Sequence, residues 1–167
     1  MKCLLIVYSY HHNNTQKVAE VFAKVLNSEI RTPQKTKPEE LQKYDLVGFG
    51  SGIYGGKHHK LLLEFADKFP KVKDKNVFIF STSGAPISLA DETKLDEYTK
   101  KNHSSLRAKL QSKGFSIVDE FICGGYNTTS FLKLFGGINK GRPNVDDLKR
   151  AEKFAYNLKQ NLQRNEG

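Results

Sequence analysis

Short apolar runs rich in β-branched residues alternate with stretches of helical periodicity along the chain. The runs that predict strands are residues 4–8, 44–50, 76–81 and 115–122, with residues 29–31 as a short candidate edge strand. Apolar runs without polar alternation are typical of strands that are covered on both faces. The pattern therefore predicts a mainly parallel sheet that lies between layers of helices.

Amphipathic segments follow most of these runs. The segments that predict helices are residues 15–27, a turn at 38–41, about 61–66, 91–113 and 145–163. Regular alternation of strands and helices is the signature of α/β folds. A chain of 167 residues without a linker or an internal repeat is interpreted as a single α/β domain that covers residues 1–167.

Three polar loops follow predicted strands, at residues 9–15, 51–57 and 81–86, and all are rich in Ser, Thr, Asn and Gly. In parallel sheets, ligands bind beyond the carboxyl ends of the strands. The sequence therefore predicts one binding site built from these three loops. The first loop opens onto a helix, whose free N–H groups and dipole favour a phosphate. Alternatively, Asn14 or Thr15 simply caps that helix.

The three loops carry a family resemblance. Tyr10-His11-His12-Asn13-Asn14-Thr15 resembles the phosphate loop of the flavodoxin family, Ser/Thr-x-Thr-Gly-Asn-Thr. Asn14 and Thr15 match this pattern, whereas Tyr10, His12 and Asn13 depart from it. Asn13 stands in the glycine position, and asparagine tolerates the left-handed backbone that glycine would supply there.

The other two loops resemble the family in register with the first. Gly50-Ser51-Gly52-Ile53-Tyr54-Gly55-Gly56-Lys57 is similar to the family loop Gly-Ser-Pro-x-Tyr-x-Gly, and Phe80-Ser81-Thr82-Ser83-Gly84 is similar to the segment on the other side of the flavin ring. The resemblance implies a flavodoxin-like, doubly wound, five-stranded parallel sheet of order 2-1-3-4-5 with helices on both faces. It also implies FMN as the cofactor, with Tyr54 as the first candidate for stacking on the ring. The implied cofactor-binding residues are Tyr10, His11, His12, Asn13, Asn14, Thr15, Ser51, Gly52, Ile53, Tyr54, Gly55, Ser81, Thr82, Ser83 and Gly84.

The function implied by this resemblance is electron transfer through bound FMN, with no catalytic acid, base or nucleophile. No Ser-His-Asp order and no GxSxG spacing are evident in the sequence. The alternative is an NAD(P)H-dependent flavin or quinone oxidoreductase on the same fold. A third hypothesis, a polyanion-binding module, is disfavoured because the sequence has no recognition helix and no basic tail.

The chain is basic, with 27 Lys and Arg against 18 Asp and Glu and a formal charge of +9. This excess indicates either a solvated surface or acidic redox partner proteins, and we expect no specific nucleic-acid binding. The apolar runs are too short for membrane insertion or for a signal peptide, so we expect a cytoplasmic protein. Cys3 and Cys123 are interpreted as buried free thiols.

Histidine pairs and one long irregular tract complete the candidate chemistry. His11-His12 and His58-His59 are interpreted as phosphate contacts or solvated side chains, and no metal site is predicted. Residues 124–141 carry Phe131, Leu132, Leu134 and Phe135 as apolar anchors. This tract either covers the third loop or presents a surface to a partner, and Tyr126 within it either faces the ligand or packs the tract.

Overall fold

The computed structural model describes residues 1–87 and 90–165. The strands are β1 (Cys3–Tyr8), β2 (Glu29–Arg31), β3 (Leu46–Tyr54), β4 (Lys57–His58), β5 (Lys75–Ser83) and β6 (Phe115–Gly124), and the helices are α1 (Asn14–Leu26), α2 (Lys60–Asp67), α3 (Glu92–Ser112) and α4 (Val145–Asn165). Five strands form a parallel path in the order β2-β1-β3-β5-β6. The predicted doubly wound sheet and its order are thus confirmed, with β4 as an antiparallel addition to β3 that was not predicted.

Helices cover both faces of the sheet because consecutive residues of each inner strand are apolar. In β1, Leu5 and Val7 belong to a core cluster that includes residues of α1 and α4. Leu4 and Ile6, which point to the opposite face, belong to a second cluster that includes residues of α2 and α3. Successive strand residues face opposite sides of a sheet, so an uninterrupted apolar run builds two cores at once.

Two glycines in β3 make room for aromatic rings of β5. A Cβ atom at Gly48 would lie 2.5 Å from the ring of Phe78, and one at Gly50 would lie 2.2 Å from the ring of Phe80. Both rings pack edge-on against Phe22 of α1, at 5.6 and 5.0 Å between centroids. The close approach of α1 to the middle of the sheet depends on these glycines.

The strands extend further into the polar segments than the sequence indicated. Residues 51–54 and 82–83, predicted as loops only, are the last residues of β3 and β5. Their polar side chains do not end the strands because the backbone ladder continues, with Ser51 paired to Ser81 and Gly52 to Thr82. The connection after β3 is a two-residue turn at Gly55 and Gly56, whose φ angles of 56° and 78° suit a tight hairpin.

The tract after β6 is partly ordered by its own contacts. A 3-10 turn covers Ser130–Phe135, and Asn127 pairs with Ile138 in an isolated antiparallel bridge. α4 then begins with a reciprocal cap in which the amides and side chains of Asn144 and Asp147 bond one another at 3.0 Å. Cys3 and Cys123 are buried free thiols, as predicted. Among the described residues, no helix combines the length and apolar character that a membrane span requires.

Candidate functional site

A cavity of about 260 Å³ lies where the carboxyl ends of β1, β3 and β5 meet the segment after β6. All three predicted loops contribute to its wall. The lining residues are Ser9, Tyr10, His11, Asn14, Thr15, Gly52, Ile53, Tyr54, Gly55, Thr82, Ser83, Gly84, Gly125, Tyr126, Asn127 and Thr129. This position beyond the carboxyl ends of the parallel strands is the one that the sequence predicts for the ligand.

The first wall of the cavity is the entry into α1. His12 and Asn13 adopt left-handed backbone angles, with φ of 53° and 52°, so Asn13 takes the glycine-like conformation expected of it. α1 starts at Asn14, and Asn14 and Thr15 both line the cavity. The positive end of the helix dipole and the amides of the first turn therefore lie at the cavity, where they favour an anion.

Buried hydrogen bonds fix these two side chains. The hydroxyls of Thr15 and Thr82 lie 2.8 Å apart and join the first wall to the third. The side-chain nitrogen of Asn14 donates to the carbonyl of Tyr126 at 2.8 Å. The side-chain oxygen of Asn14 is buried without a hydrogen-bond partner, which leaves one acceptor for a donor group of a ligand.

The second wall is the hairpin of β3 and β4. The ring of Tyr54 lies across Gly52, where a Cβ atom would be 3.0 Å from the ring. Tyr54 also contacts His11 and His59, at 6.3 and 5.2 Å between ring centroids. Burial raises the pKa of the Tyr54 phenol, so this side chain presents a neutral flat surface to the cavity.

The third wall joins the end of β5 to residues 125–129. A Cβ atom at Gly84 would lie 2.5 Å from the side-chain nitrogen of Asn127. The side-chain nitrogen of Asn139 donates to the carbonyl of Ala85 at 2.8 Å. These contacts hold the tract after β6 against the third predicted loop.

Most of the predicted binding residues line the cavity, and four do not. The predicted residues that line it are Tyr10, His11, Asn14, Thr15, Gly52, Ile53, Tyr54, Gly55, Thr82, Ser83 and Gly84. His12 instead bonds the hydroxyl of Thr128 at 2.8 Å. The side chain of Ser51 accepts from the amide of His59 at 2.9 Å, and Asn13 supplies the turn before α1.

The fourth, Ser81, belongs to a buried polar chain behind the cavity. Its hydroxyl lies 2.7 Å from Nε2 of His103, and Nδ1 of His103 lies 2.8 Å from Glu120. Arg107 donates twice to the same carboxylate, at 2.6 and 2.7 Å. Ser81 and His103 are both fully buried, so this Ser-His-Glu arrangement has no access to a substrate and serves the fold.

The interpretation of the second histidine pair is wrong for His58. His58 is buried and points at the carbonyl of Phe80 and the ring of His103, at 3.4 and 4.7 Å. The short strand β4 turns His58 inward because alternate residues of a strand face opposite sides. His59 stacks on Tyr8 at 4.0 Å. Within the described residues no group of His, Cys, Asp or Glu is arranged to hold a metal ion.

Five lining residues were not in the predicted set: Ser9, Gly125, Tyr126, Asn127 and Thr129. Four of them follow β6, and Tyr126 both lines the cavity and packs the tract, since its hydroxyl donates to the carbonyl of Gly136 at 3.1 Å. A signal was present, because β6 is also a strand followed by a polar, glycine-containing segment, like the three strands whose loops were chosen.

The segments around the cavity contain no acidic residue. Residues 1–19, 46–63, 75–90 and 121–145 include no Asp and no Glu, although they carry several lysines. Two of these segments end just before acids at the starts of α3 and α4, at Asp91, Glu92, Asp146 and Asp147. The segments that line the cavity therefore contribute a helix dipole, lysines and histidines to the local field, and no carboxylate of their own.

Comparisons with known proteins agree with this architecture. A family model described as a flavodoxin domain matches residues 5–120. An uncharacterized protein of Methanocaldococcus jannaschii is 47% identical over 161 residues, which cover 96% of this chain and 100% of that protein. The structure of oxidised flavodoxin 2 from Bacillus cereus superposes with a TM-score of 0.65 at 17% identity, and the match covers 93% of this chain and 96% of that chain. The structure of a flavodoxin from the domain Archaea superposes with a TM-score of 0.56 at 14% identity, and the match covers 98% of this chain and 99% of that chain. The family model spans most of the chain, and the sheet has the strand order that the resemblance implied. The protein therefore belongs to the flavodoxin family.

Proposed function

We propose that the protein binds FMN in this cavity and transfers electrons through it. The observation that carries the proposal is the convergence of the three family-like segments on one cavity, lined by hydroxyl and amide groups around Tyr54. FMN, when bound, supplies the one- and two-electron chemistry, and the chain supplies binding, orientation and electrostatics.

The chemistry of the lining suits the two ends of FMN. The start of α1 with the Thr15 hydroxyl offers donors for the phosphate, because unpaired amides and hydroxyls near a helix N-terminus bind anions. The unpartnered oxygen of Asn14 fits a donor group of the ribityl chain or ring. Tyr54 offers a flat apolar face, and the ring of Tyr54 lies close to the backbone because Gly52 has no side chain.

Several features favour a carrier over an enzyme with its own acid–base groups. The described lining residues include no carboxylate and no lysine. Ser81 and His103, which form a hydrogen-bonded chain with Glu120, are buried and do not line the cavity. Electron transfer needs no proton donor from the protein, so a neutral polar lining is sufficient. We further propose a cytoplasmic location, because two free thiols persist in reducing compartments.

The proposed partners are redox proteins of acidic character, in keeping with the net charge of +9. Opposite charges on two proteins accelerate their encounter and orient it. The proposal includes neither specific nucleic-acid binding nor membrane insertion.

The test is a titration of the flavin-free protein with FMN and, as a matched control, with riboflavin, which lacks the phosphate. We expect perturbed flavin absorption with FMN and much weaker binding of riboflavin. Equal affinity for both would contradict the phosphate site at α1, and no perturbation by either would contradict flavin binding.

A second step separates the carrier from the alternative, an NAD(P)H-dependent flavin or quinone oxidoreductase. The FMN-loaded protein is mixed anaerobically with NADH and with NADPH, and then with dithionite. We expect the flavin of a carrier to be reduced by dithionite but not by NADH or NADPH. Rapid bleaching by either nicotinamide would replace the carrier with the oxidoreductase.

A further inference from the structure

The loop between Asn127 and Ile138, here called the rim loop (residues 128–137), projects two apolar side chains from the edge of the cavity. Leu134 is 84% exposed and Phe135 is 81% exposed. They are therefore not the anchors of the tract that the sequence indicated, and the side chain of Phe131 lies outside the described part of the structure. Exposed large apolar side chains beside a binding cavity mark an interaction surface more often than isolated ones do.

The base of the rim loop is fixed, so the exposure of its tip is not a result of loose structure. The amides and carbonyls of Asn127 and Ile138 bond each other at 2.9 and 2.8 Å. The Tyr126 hydroxyl holds the carbonyl of Gly136. Gly137 has a φ of 83°, and a Cβ atom there would lie 2.7 Å from the carbonyl oxygen of Asn127. A loop held in one conformation loses little entropy when a partner covers it.

The charged side chains of the loop and its flanking residues have one sign. Lys133 and Lys140 are exposed on either side of the apolar tip, and residues 121–145 contain no acid. Tyr10, which lines the cavity and is 70% exposed, adds another aromatic surface at the same mouth. A complementary surface would carry carboxylates around an apolar centre.

We propose that the rim loop is the docking site for an acidic protein partner, whose apolar centre covers Leu134 and Phe135 while its carboxylates face Lys133 and Lys140. The inference rests on the proposed function, since a partner seated here would exchange electrons with the ligand of the adjacent cavity. A second copy of this chain fits poorly because two lysine-bearing loops repel each other. An anionic lipid surface would meet the same two lysines, so the test below includes vesicles of that composition.

The test uses the haem domain of cytochrome b5 as an acidic probe and cytochrome c as a basic one. Backbone amide signals of the isotopically labelled protein are followed by NMR during each titration, at low and at high salt, with and without FMN. We expect residues 133–137 to shift with the acidic probe at low salt and to remain unchanged with the basic probe. Shifts centred on α3 and α4 would overturn the proposal.

Two double variants with the same net charge test whether the lysines beside the rim loop bind the acidic probe. Lys133→Glu/Lys140→Glu and Lys149→Glu/Lys153→Glu change the net charge equally, but only the first pair flanks the rim loop. We expect the first variant to weaken binding of the acidic probe at least about tenfold and the second to change it little, because charge effects at an interface are local. Equal weakening by both variants would show that only the net charge matters and would overturn the site.

A second pair of variants tests the apolar tip and the other occupants. Leu134→Ser/Phe135→Ser should weaken the binding that persists at high salt, whereas Tyr156→Ser on α4 should not; no difference between them would overturn the apolar contact. Binding of phosphatidylserine vesicles, or a dimer in sedimentation that Leu134→Ser/Phe135→Ser abolishes, would replace the acidic protein as occupant. Because the titration also works without FMN, a failure of flavin binding is distinguishable from a failure of docking.

Discussion

The hydroxyl of Ser81 lies 2.7 Å from Nε2 of His103, although 22 residues separate them along the chain. Since Nδ1 of the same ring must donate to Glu120, Nε2 of the neutral ring accepts the Ser81 proton. Burial lowers the pKa of His103 in spite of Glu120. The ring of His103, which belongs to α3, is therefore held in its neutral form between Ser81 of β5 and Glu120 of β6.

This buried histidine and its neighbour predict a loss of stability in mild acid. Burial lowers the pKa of His58 well below its ordinary value, and that of His103 is lowered as well. Below about pH 6.5 the unfolded chain takes up protons that the folded chain excludes, so the free energy of unfolding falls as pH decreases. Each histidine contributes a slope of at most about 1.4 kcal/mol per pH unit. Urea unfolding between pH 8 and 5.5 measures it.

A matched pair of variants isolates the buried group. His58→Phe removes a titrating ring whose Nδ1 has no hydrogen-bond partner, so we expect a shallower pH dependence of stability. Phe49→Leu, at a buried position without a titratable group, should leave the slope as in the parent protein. Identical slopes in all three proteins would contradict the assignment to buried histidines.

Glu120 adds a second acid-labile element. Burial raises the pKa of this carboxyl, but hydrogen bonds from His103 and Arg107 outweigh burial and bring it below its ordinary value. Its contribution to stability is present above the pKa of an unfolded glutamate and disappears as pH falls further. The acid limb should therefore continue below the range in which the histidines titrate.

The strands and the sheet order were predictable because they depend on local pattern and on a family resemblance. The apolar run of β1 alone predicts a strand that is covered on both faces. Asn14 and Thr15 predict that a helix begins shortly after this strand ends. Ser81 and His103 were not paired in advance because no local pattern reports which face of α3 meets β5. Asn127 was missed, and the two alternatives for Tyr126 stayed open, for a similar reason, since both depend on where the tract after β6 folds back.

The paired hydroxyls of Thr15 and Thr82 allow a test of the phosphate site. Thr15→Val removes a hydroxyl at the start of α1, and a hydrogen bond to a charged acceptor contributes about 1.5–3 kcal/mol. We therefore expect the dissociation constant of FMN to rise by roughly ten- to a hundredfold. Isothermal titration of the folded variant provides the measurement.

Thr82→Val is the control for this substitution. It breaks the same 2.8 Å hydrogen bond between hydroxyls but leaves the Thr15 hydroxyl at the helix start. If loss of the Thr15–Thr82 bond were the whole effect, both variants would weaken FMN equally. A smaller effect of Thr82→Val is the result that supports a phosphate contact by Thr15.

The described lining of the cavity includes no carboxylate, which predicts a reduction potential that is less negative than in a carrier with carboxylates at its site. Lys57 pairs with Tyr54 across the hairpin, so its charge lies near the proposed ring site. Lys57→Glu should make the potential of the bound flavin more negative by on the order of tens of mV at low ionic strength. The difference should shrink in high salt. Spectroelectrochemistry of this variant beside Lys149→Glu measures it, and equal shifts in both would refute a local effect.

Gly84 and Gly50 separate the requirements of the cavity from those of the core. Gly50→Ala places a methyl group 2.2 Å from the buried ring of Phe80, and such overpacking typically costs about 1–3 kcal/mol of stability. Gly84→Ala meets the side chain of Asn127 instead, at 2.5 Å, and Asn127 belongs to the surface tract that forms one wall of the cavity. We expect Gly84→Ala to weaken FMN binding with a small change in urea midpoint, and Gly50→Ala to lower the midpoint strongly. Gly84→Ala with unchanged FMN affinity would mean that residues 125–129 do not shape the binding site.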